Sequence, residues 1–377
     1  MESDAADGIS HFIEHMMFKG TQKRTAFAIS DEMDRIGAQT NAFTGKDITC
    51  YYAKSTTENA AAAFEILADL FLNSAFPEEE MAREKNVIIE EISMNEDTPD
   101  DLCLDLLSEA YYGREGYGRN ILGTRENVLG FTRADVDRYM KARYTSDNIV
   151  ISMAGNISVQ LAEELAEKYF GGLPATHADK RVIGVSARHR SLVKHKDIEQ
   201  VHIALAWPSV TRDDRLYDAV RIMNSVLGGS MSSRLFQEVR EKLGLAYTVY
   251  SYNSAYADTG TLVVYAGVNA KNYLRSVDAV KKCIDDVKGG KIGREEFERG
   301  REQLKASSIF AQESTSSQML LYGKEMLYSG KPYSFEERIA AINAVTADDL
   351  AEAIEGSFNN DGMAASLVGK LDKPLVI

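Results

Sequence analysis

The sequence predicts an α+β protein of two homologous domains, each a mainly antiparallel sheet covered by helices. Two observations predict it. Stretches with helical periodicity alternate with short strand-like stretches, and the order of these elements repeats in the second half of the chain. A length of 377 residues allows two domains of ordinary size. We therefore expect a first domain at 1–172, a linker at 173–197 and a second domain at 198–377.

Elements of the first half follow from periodicity, turns and helix-end signals. Ile9 to Phe18 has helical apolar spacing, and a second predicted helix at 27–36 ends before Gly37. Two short strands are predicted in 40–53, around the Thr-Gly-Lys-Asp turn at 44–47. The other predicted elements are helices at 57–72, at 78–112 with a break near Pro99, at 132–144 and at 159–170, and a strand at 148–154.

The second half repeats this order residue by residue in places. Thr132 to Tyr144 aligns without gaps with Thr346 to Phe358, and each stretch begins with a threonine N-cap followed by aspartate at the third helical position. A strand at 201–207 precedes the first helix of this half, whereas only eight residues precede the corresponding helix of the first half. We therefore expect that a core strand of the first domain lies outside the sequence as given. The other predicted elements are helices at 215–227, 232–243, 270–288, 293–328 and 346–356, a strand pair at 246–268 and a strand at 362–368.

Composition excludes several classes of function. A net charge of -14 argues against a nucleic-acid partner, and no apolar run is long enough to cross a bilayer, so no membrane role is expected. The three cysteines are far apart with no paired spacing, which argues against a disulfide framework and favours a reducing compartment. With no signal peptide visible after Met1, we expect a cytoplasmic location.

The segment His11-Phe-Ile-Glu-His15 carries the chemistry. Two histidines four residues apart lie on one face of a helix, so that their imidazoles can reach one metal ion. Glu14 lies beside that face and can reach a water held by the metal without being a ligand. The pattern is the reverse of His-Glu-x-x-His and is a variant of the zinc-peptidase motif.

A catalytic zinc needs a third protein ligand and one open position. The best source is the acidic segment at 83–92. Glu84 and Glu91 are seven residues apart and therefore share one helix face, while Glu90 points about a quarter turn away. A structural zinc site is a rival interpretation, but such sites favour four ligands and cysteines.

At these residues the chain resembles the insulinase/pitrilysin family of zinc metallopeptidases, in particular its short bacterial processing-peptidase-like members. The resemblance is carried by Gly8-Ile-Ser-His-Phe-Ile-Glu-His-Met-Met-Phe-Lys-Gly-Thr21, by Asn41-Ala-Phe-Thr44 with Thr49-Cys-Tyr-Tyr52, and by the segment at 84–94. It implies one zinc ion per chain, held by His11, His15 and the glutamate 76 positions later, which is Glu91.

The resemblance also implies roles for residues that spacing alone does not assign. Glu84 corresponds to a supporting glutamate, and Asn41, Ala42, Phe43 and Thr44 form an edge strand that binds the peptide substrate. In the second half, Arg240 and Tyr247 match a pair that contacts substrate backbone near the scissile bond. Without the resemblance, the preferred interpretation of Tyr247 is a strand aromatic in the core.

The second half has no counterpart of the metal motif, and members of this length usually work as two chains. A homodimer, or a heterodimer with a related chain, is therefore implied. The leading hypothesis is a zinc metalloendopeptidase in which Glu14 activates a zinc-bound water for attack on extended peptide substrates. The alternative is a non-catalytic partner or assembly subunit of processing-peptidase type, which would carry no stoichiometric zinc.

Overall fold

A computed structural model describes residues 2–173, 190–358 and 362–371. The described chain forms two compact units. Unit 1 comprises 2–94, 120–173 and 311–333, and unit 2 comprises 95–119, 190–310, 334–358 and 362–371.

Helices dominate both units. They are α1 (Ile9–Met17), α2 (Ala26–Arg35), α3 (Ala60–Asn73), α4 (Glu78–Asp97), α5 (Pro99–Tyr112), α6 (Arg125–Gly130), α7 (Arg133–Arg143), α8 (Val159–Phe170), α9 (Tyr217–Leu227), α10 (Tyr273–Lys288), α11 (Arg294–Ala311), α12 (Thr315–Ser329), α13 (Phe335–Ala344) and α14 (Ala347–Gly356). The strands are β1 (Gln39–Thr44), β2 (Thr49–Lys54), β3 (Ser191–His195), β4 (Gln200–Ser209), β5 (Ala246–Ala255), β6 (Gly260–Asn269) and β7 (Ala364–Gly369). Within the described ranges no helix is long and apolar enough to cross a membrane.

Unit 1 is built around the apolar face of α1. Phe12, Ile13 and Met16 are fully buried and pack in one cluster with Ile88 and other apolar residues of α4. The hairpin of β1 and β2 is antiparallel and lies beside α1. Because α1 uses one face for this core, its other face is available for polar side chains.

Unit 2 contains a five-stranded sheet in the order β3-β7-β4-β6-β5. All neighbouring pairs are antiparallel except β3 with β7. Alternate residues of β4, such as Ile203 and Leu205, enter the same core as Val264 of β6, in keeping with the two-residue period of a strand. The predicted α+β class, with two homologous halves, is confirmed.

One helix of each half belongs to the other unit. Helix α5 packs in unit 2 against β4 and β7, where the Cys103 thiol lies 3.3 Å from the hydroxyl of Ser366. Helix α12 occupies the equivalent position of the repeat and belongs to unit 1, where Ser152 donates a hydrogen bond to the carbonyl of Met319. The compact units therefore follow the halves of the sequence except for these exchanged segments.

Three predicted elements differ in the structure. Residues 191–195 of the predicted linker form β3, because they pair with β7, a contact that local periodicity cannot reveal; residues 174–189 lie outside the described residues. The predicted strand at 148–154 is not a strand, since no described segment forms a ladder with it. The long helix predicted at 293–328 is two helices, α11 and α12.

Candidate metal centre

The start of α1 is fixed by a close approach of backbone. Gly8 caps the helix with φ +90°, and a Cβ atom there would lie 2.6 Å from Cα of Gly123, so only glycine fits. The carboxylate of Glu2 accepts hydrogen bonds of 2.8 Å from the backbone N–H groups of Gly8 and Ser10. These contacts satisfy amide donors at the helix N-terminus and favour the helix through its dipole.

His11 and His15 meet Glu91 of α4 at the surface of this helix. Their Nε2 atoms are 3.2 Å apart, and Oε2 of Glu91 lies 3.6 Å from the first and 3.5 Å from the second. Ligands about 2.0–2.1 Å from a tetrahedral zinc stand about 3.3–3.4 Å from one another. The three donor atoms therefore fit one zinc ion, and they form the one group of this kind found among the described residues.

The pKa of His11 favours the protonation state that a metal ligand needs. Burial, together with the neighbouring His15, lowers the pKa of His11 from its ordinary value to about 4. The imidazole of His11 is therefore neutral near pH 7, and a neutral imidazole has the free lone pair that metal binding needs.

Glu84 contacts one of the candidate ligands, His15, and is not one of the three residues whose donor atoms converge. Its Oε1 lies 2.8 Å from Nδ1 of His15, and its Oε2 lies 2.6 Å from Nζ of Lys19. Burial alone would raise the pKa of this carboxyl, but hydrogen bonds from His15 and Lys19 and the lysine charge outweigh it and hold the pKa below its usual value. A carboxylate on the far nitrogen of a metal-binding histidine fixes the tautomer and the ring orientation.

Glu14 lies close to the same cluster, with its carboxylate bound by a strand residue. Thr44, at the end of β1, donates a hydrogen bond to Oε2 of Glu14. The Thr44 hydroxyl is in turn 3.3 Å from that of Thr49 on β2. Burial raises the pKa of Glu14, against opposing effects of Thr44 and His15. A carboxyl with a raised pKa beside a metal site is suited to accept and return a proton.

The predicted substrate strand ends at this cluster. Strand β1 includes Asn41, Ala42, Phe43 and Thr44, and it pairs with β2 alone among the described strands. Asn41 is exposed and the next three residues are half-buried. The outer edge of β1 therefore has backbone groups that an extended peptide could pair with.

Arg240 and Tyr247 belong to unit 2 and form a pair of their own. Arg240 lies in a π-helical segment, Phe236–Lys242, with its guanidinium carbon 4.7 Å from the ring centre of Phe236 and 5.4 Å from that of Tyr247. Tyr247 is 76 % exposed, so it is not a core aromatic. The role of this pair in contacting substrate stays a prediction.

Sequence reasoning missed the contacts of Lys19 and Thr44. Lys19 is four residues after His15, so helical spacing places it near the same face, and that signal could have found it. Nothing local links Thr44 to Glu14, because the two are 30 residues apart and meet only through packing of β1 on α1.

The two repeated α+β halves, with a histidine and glutamate cluster in the first alone among the described residues, define an α+β protein with one candidate metal centre. Comparison with known families agrees. Residues 1–125 match the model of the insulinase family (peptidase family M16), and residues 130–304 match that of the peptidase M16 inactive domain. The chain belongs to the insulinase family, peptidase family M16.

Curated relatives extend over almost the whole chain. A Bacillus subtilis protein called "Uncharacterized zinc protease YmxG" is 42% identical over 361 residues, which are 96% of this chain and 88% of the relative. An "Uncharacterized zinc protease" of Rickettsia felis is 36% identical, over 95% of this chain and 87% of its own length.

Two solved structures share the fold. A peptidase M16 inactive domain from Pseudomonas fluorescens has a TM-score of 0.90, and a protease from Helicobacter pylori has a TM-score of 0.89. Each is 22% identical to this chain and covers 98% of it and 90% of its own chain. At that identity the likeness establishes the fold alone.

Proposed function

We propose that this chain is a zinc-dependent endopeptidase that hydrolyses peptide bonds in extended peptides or unfolded segments. The observation that carries the proposal is the convergence of His11, His15 and Glu91 at the mutual distances of zinc ligands. Three nitrogen and oxygen ligands are the usual protein share of a catalytic zinc site. A zinc ion held there would acidify a water ligand and polarise the scissile carbonyl.

Glu14 is the general base of the proposed reaction. It accepts a proton from the attacking water and then donates it to the departing amine nitrogen. Thr44 holds one oxygen of this carboxylate, which limits its rotation. Glu84 keeps Nδ1 of His15 occupied as a donor, so that Nε2 faces the other ligands.

The peptide substrate is proposed to pair with the free edge of β1. Main-chain hydrogen bonds would then supply most of the binding, which tolerates varied sequences but requires an extended substrate. Because β1 ends at Thr44, a peptide on this edge runs beside the hydroxyl that holds Glu14. The homodimer or heterodimer implied by the resemblance stays a prediction.

The test combines metal analysis with an assay on a mixed library of unstructured peptides. Wild type is expected to hold one zinc per chain and to lose cleavage on treatment with a chelator. Glu14→Gln should keep the zinc and lower the cleavage rate by about 10²–10⁴-fold, the usual contribution of a general base. Glu90→Gln is the matched control, since Glu90 is an exposed glutamate next to the proposed ligand Glu91.

Full activity of Glu14→Gln would contradict the assignment of the base. Purified wild type without stoichiometric zinc and without chelator-sensitive cleavage would instead favour the alternative, a non-catalytic partner or assembly subunit. Metal analysis distinguishes these two results, because wild type binds zinc in the first and does not bind it in the second.

A further inference from the structure

Lys19 is a charged residue next to the metal centre that the proposed reaction does not use. It follows α1 directly, and its backbone N–H donates to the carbonyl of Met16 in the last turn of the helix. Its ammonium nitrogen lies 2.6 Å from Oε2 of Glu84. A cation at this end of a helix is also favoured by the helix dipole.

The partner of Lys19 is in an unusual place for a carboxylate. Glu84 is 4 % exposed and lies on the buried face of α4, between Met81 and Ile88. A buried charge is costly unless it is paired and hydrogen-bonded. Each oxygen of Glu84 has one close partner, Lys19 on one side and His15 on the other.

The two histidines differ in how they are held. Nδ1 of His15 has the Glu84 carboxylate at 2.8 Å, whereas Nδ1 of His11 is buried and has no hydrogen-bond partner among the described residues. Among the described residues, therefore, a carboxylate orients the ring of His15 but not the ring of His11. The other oxygen of the Glu84 carboxylate is in contact with the Lys19 ammonium group.

We propose that Lys19 is a positioning residue for the metal centre: its ammonium group fixes the carboxylate of Glu84, which orients His15 toward the shared ion. The inference rests on the proposed zinc site. Without Lys19 the carboxylate can rotate away from Nδ1 of His15, and the ring loses its fixed orientation. The effect is expected in metal affinity, because residues behind metal ligands commonly contribute about 10–100-fold to it.

The experiment measures the zinc dissociation constant of the full chain by competition with a chromogenic chelator. Lys19→Met removes the charge but keeps most of the side-chain length, and we expect zinc binding about tenfold weaker than in wild type. Lys19→Arg keeps a cation and should weaken binding less than Lys19→Met. Lys23→Met is the matched control, an exposed lysine of the same loop, and should bind zinc like wild type.

A double-mutant cycle separates positioning from a general loss of structure. If Lys19 acts through Glu84, the Lys19→Met change should weaken zinc binding in the wild-type background but add little in a Glu84→Gln background. Replacing zinc by cobalt(II) gives a second readout, because the visible absorption of cobalt reports ligand geometry. The spectrum should change in Lys19→Met and not in Lys23→Met. Melting of the metal-free proteins controls for folding.

Three results would overturn the inference: wild-type affinity in Lys19→Met, equal weakening in Lys19→Met and Lys19→Arg, or equal weakening by Lys19→Met in both backgrounds of the cycle. Absence of zinc binding in wild type would overturn the proposed function, and the inference with it. The two failures are distinguishable, since the first leaves wild-type zinc binding intact.

Discussion

Replacing Thr44 by valine tests whether the substrate strand holds the base. Valine exchanges the hydroxyl for a methyl group of similar size, and its branched side chain suits a strand. The backbone pairing of residue 44 with Thr49 is unchanged, because it involves only main-chain groups. The variant therefore removes the hydrogen bond that Thr44 donates to Glu14, together with the longer contact of 3.3 Å between the hydroxyls of Thr44 and Thr49.

The expected size of the effect follows from the charge of the acceptor. A hydrogen bond to a charged group contributes about 1.5–3 kcal/mol. Because about 1.4 kcal/mol corresponds to tenfold in rate, full loss of this orienting contact would lower the rate of cleavage roughly 10- to 150-fold. Glu14 is half-buried, so solvent can replace part of the contact, and we expect the lower part of this range.

The assay is steady-state cleavage of one unstructured peptide, with zinc content measured on the same samples. Thr44→Val should lower kcat while KM and zinc content stay close to wild type, since the peptide pairs with the backbone of β1. Thr44→Ser keeps the hydroxyl and should stay within about threefold of wild type. The reasoning is refuted if Thr44→Val cleaves as fast as Thr44→Ser, or if its loss of activity comes from loss of zinc.

Two further predictions concern stability. Free zinc at 100 times its dissociation constant should stabilise the fold by about 2.7 kcal/mol, so that melting temperature rises in wild type and Glu90→Ala but not in Glu91→Ala; an equal rise in Glu91→Ala would exclude that residue as a ligand. Burial alone would raise the pKa of Asp69, but hydrogen bonds from Arg24 and Thr21 outweigh it and lower the pKa. The ionised carboxylate of Asp69 therefore stabilises the fold above about pH 4, and this stabilisation is lost as pH falls through the folded-state pKa of Asp69. Between pH 6 and pH 3, urea denaturation should show a larger loss of stability in wild type than in Asp69→Asn, and equal losses would contradict this account.

Local signals were enough to predict the elements that carry the site. Helix α1 follows from apolar spacing, and the break between α4 and α5 falls at Pro99, as expected for a residue that cannot continue a helix. The threonines at 132 and 346 both form capping boxes with the aspartate three residues later. Such features depend on neighbours in sequence, and the sequence alone therefore predicts them.

Contacts between distant segments were not predictable in the same way. Strand β3 exists only because β7 lies beside it, and the exchange of α5 and α12 between the units leaves no mark in periodicity. At the site, spacing left Glu84 and Glu91 as equal candidates for the third ligand. The structure separates them, since Glu91 approaches both Nε2 atoms while Glu84 approaches Nδ1 of His15.

The repeat supports the proposed role of Glu84 at the metal centre over a role in apolar packing. In the internal alignment Met81, Glu84 and Ile88 of α4 correspond to Phe297, Gly300 and Leu304 of α11, and all six residues are buried. Unit 2 has a glycine at the middle position, where a Cβ atom would lie 3.1 Å from Cγ2 of Ile222 on α9, so the two helices pack closely with no room for a carboxylate. The fold thus permits a small residue at this position. Burial of a carboxylate there costs free energy, and apolar packing does not offset that cost. Glu84 breaks the local apolar pattern in one half only and contacts His15, and the proposed metal centre accounts for both features, whereas apolar packing accounts for neither.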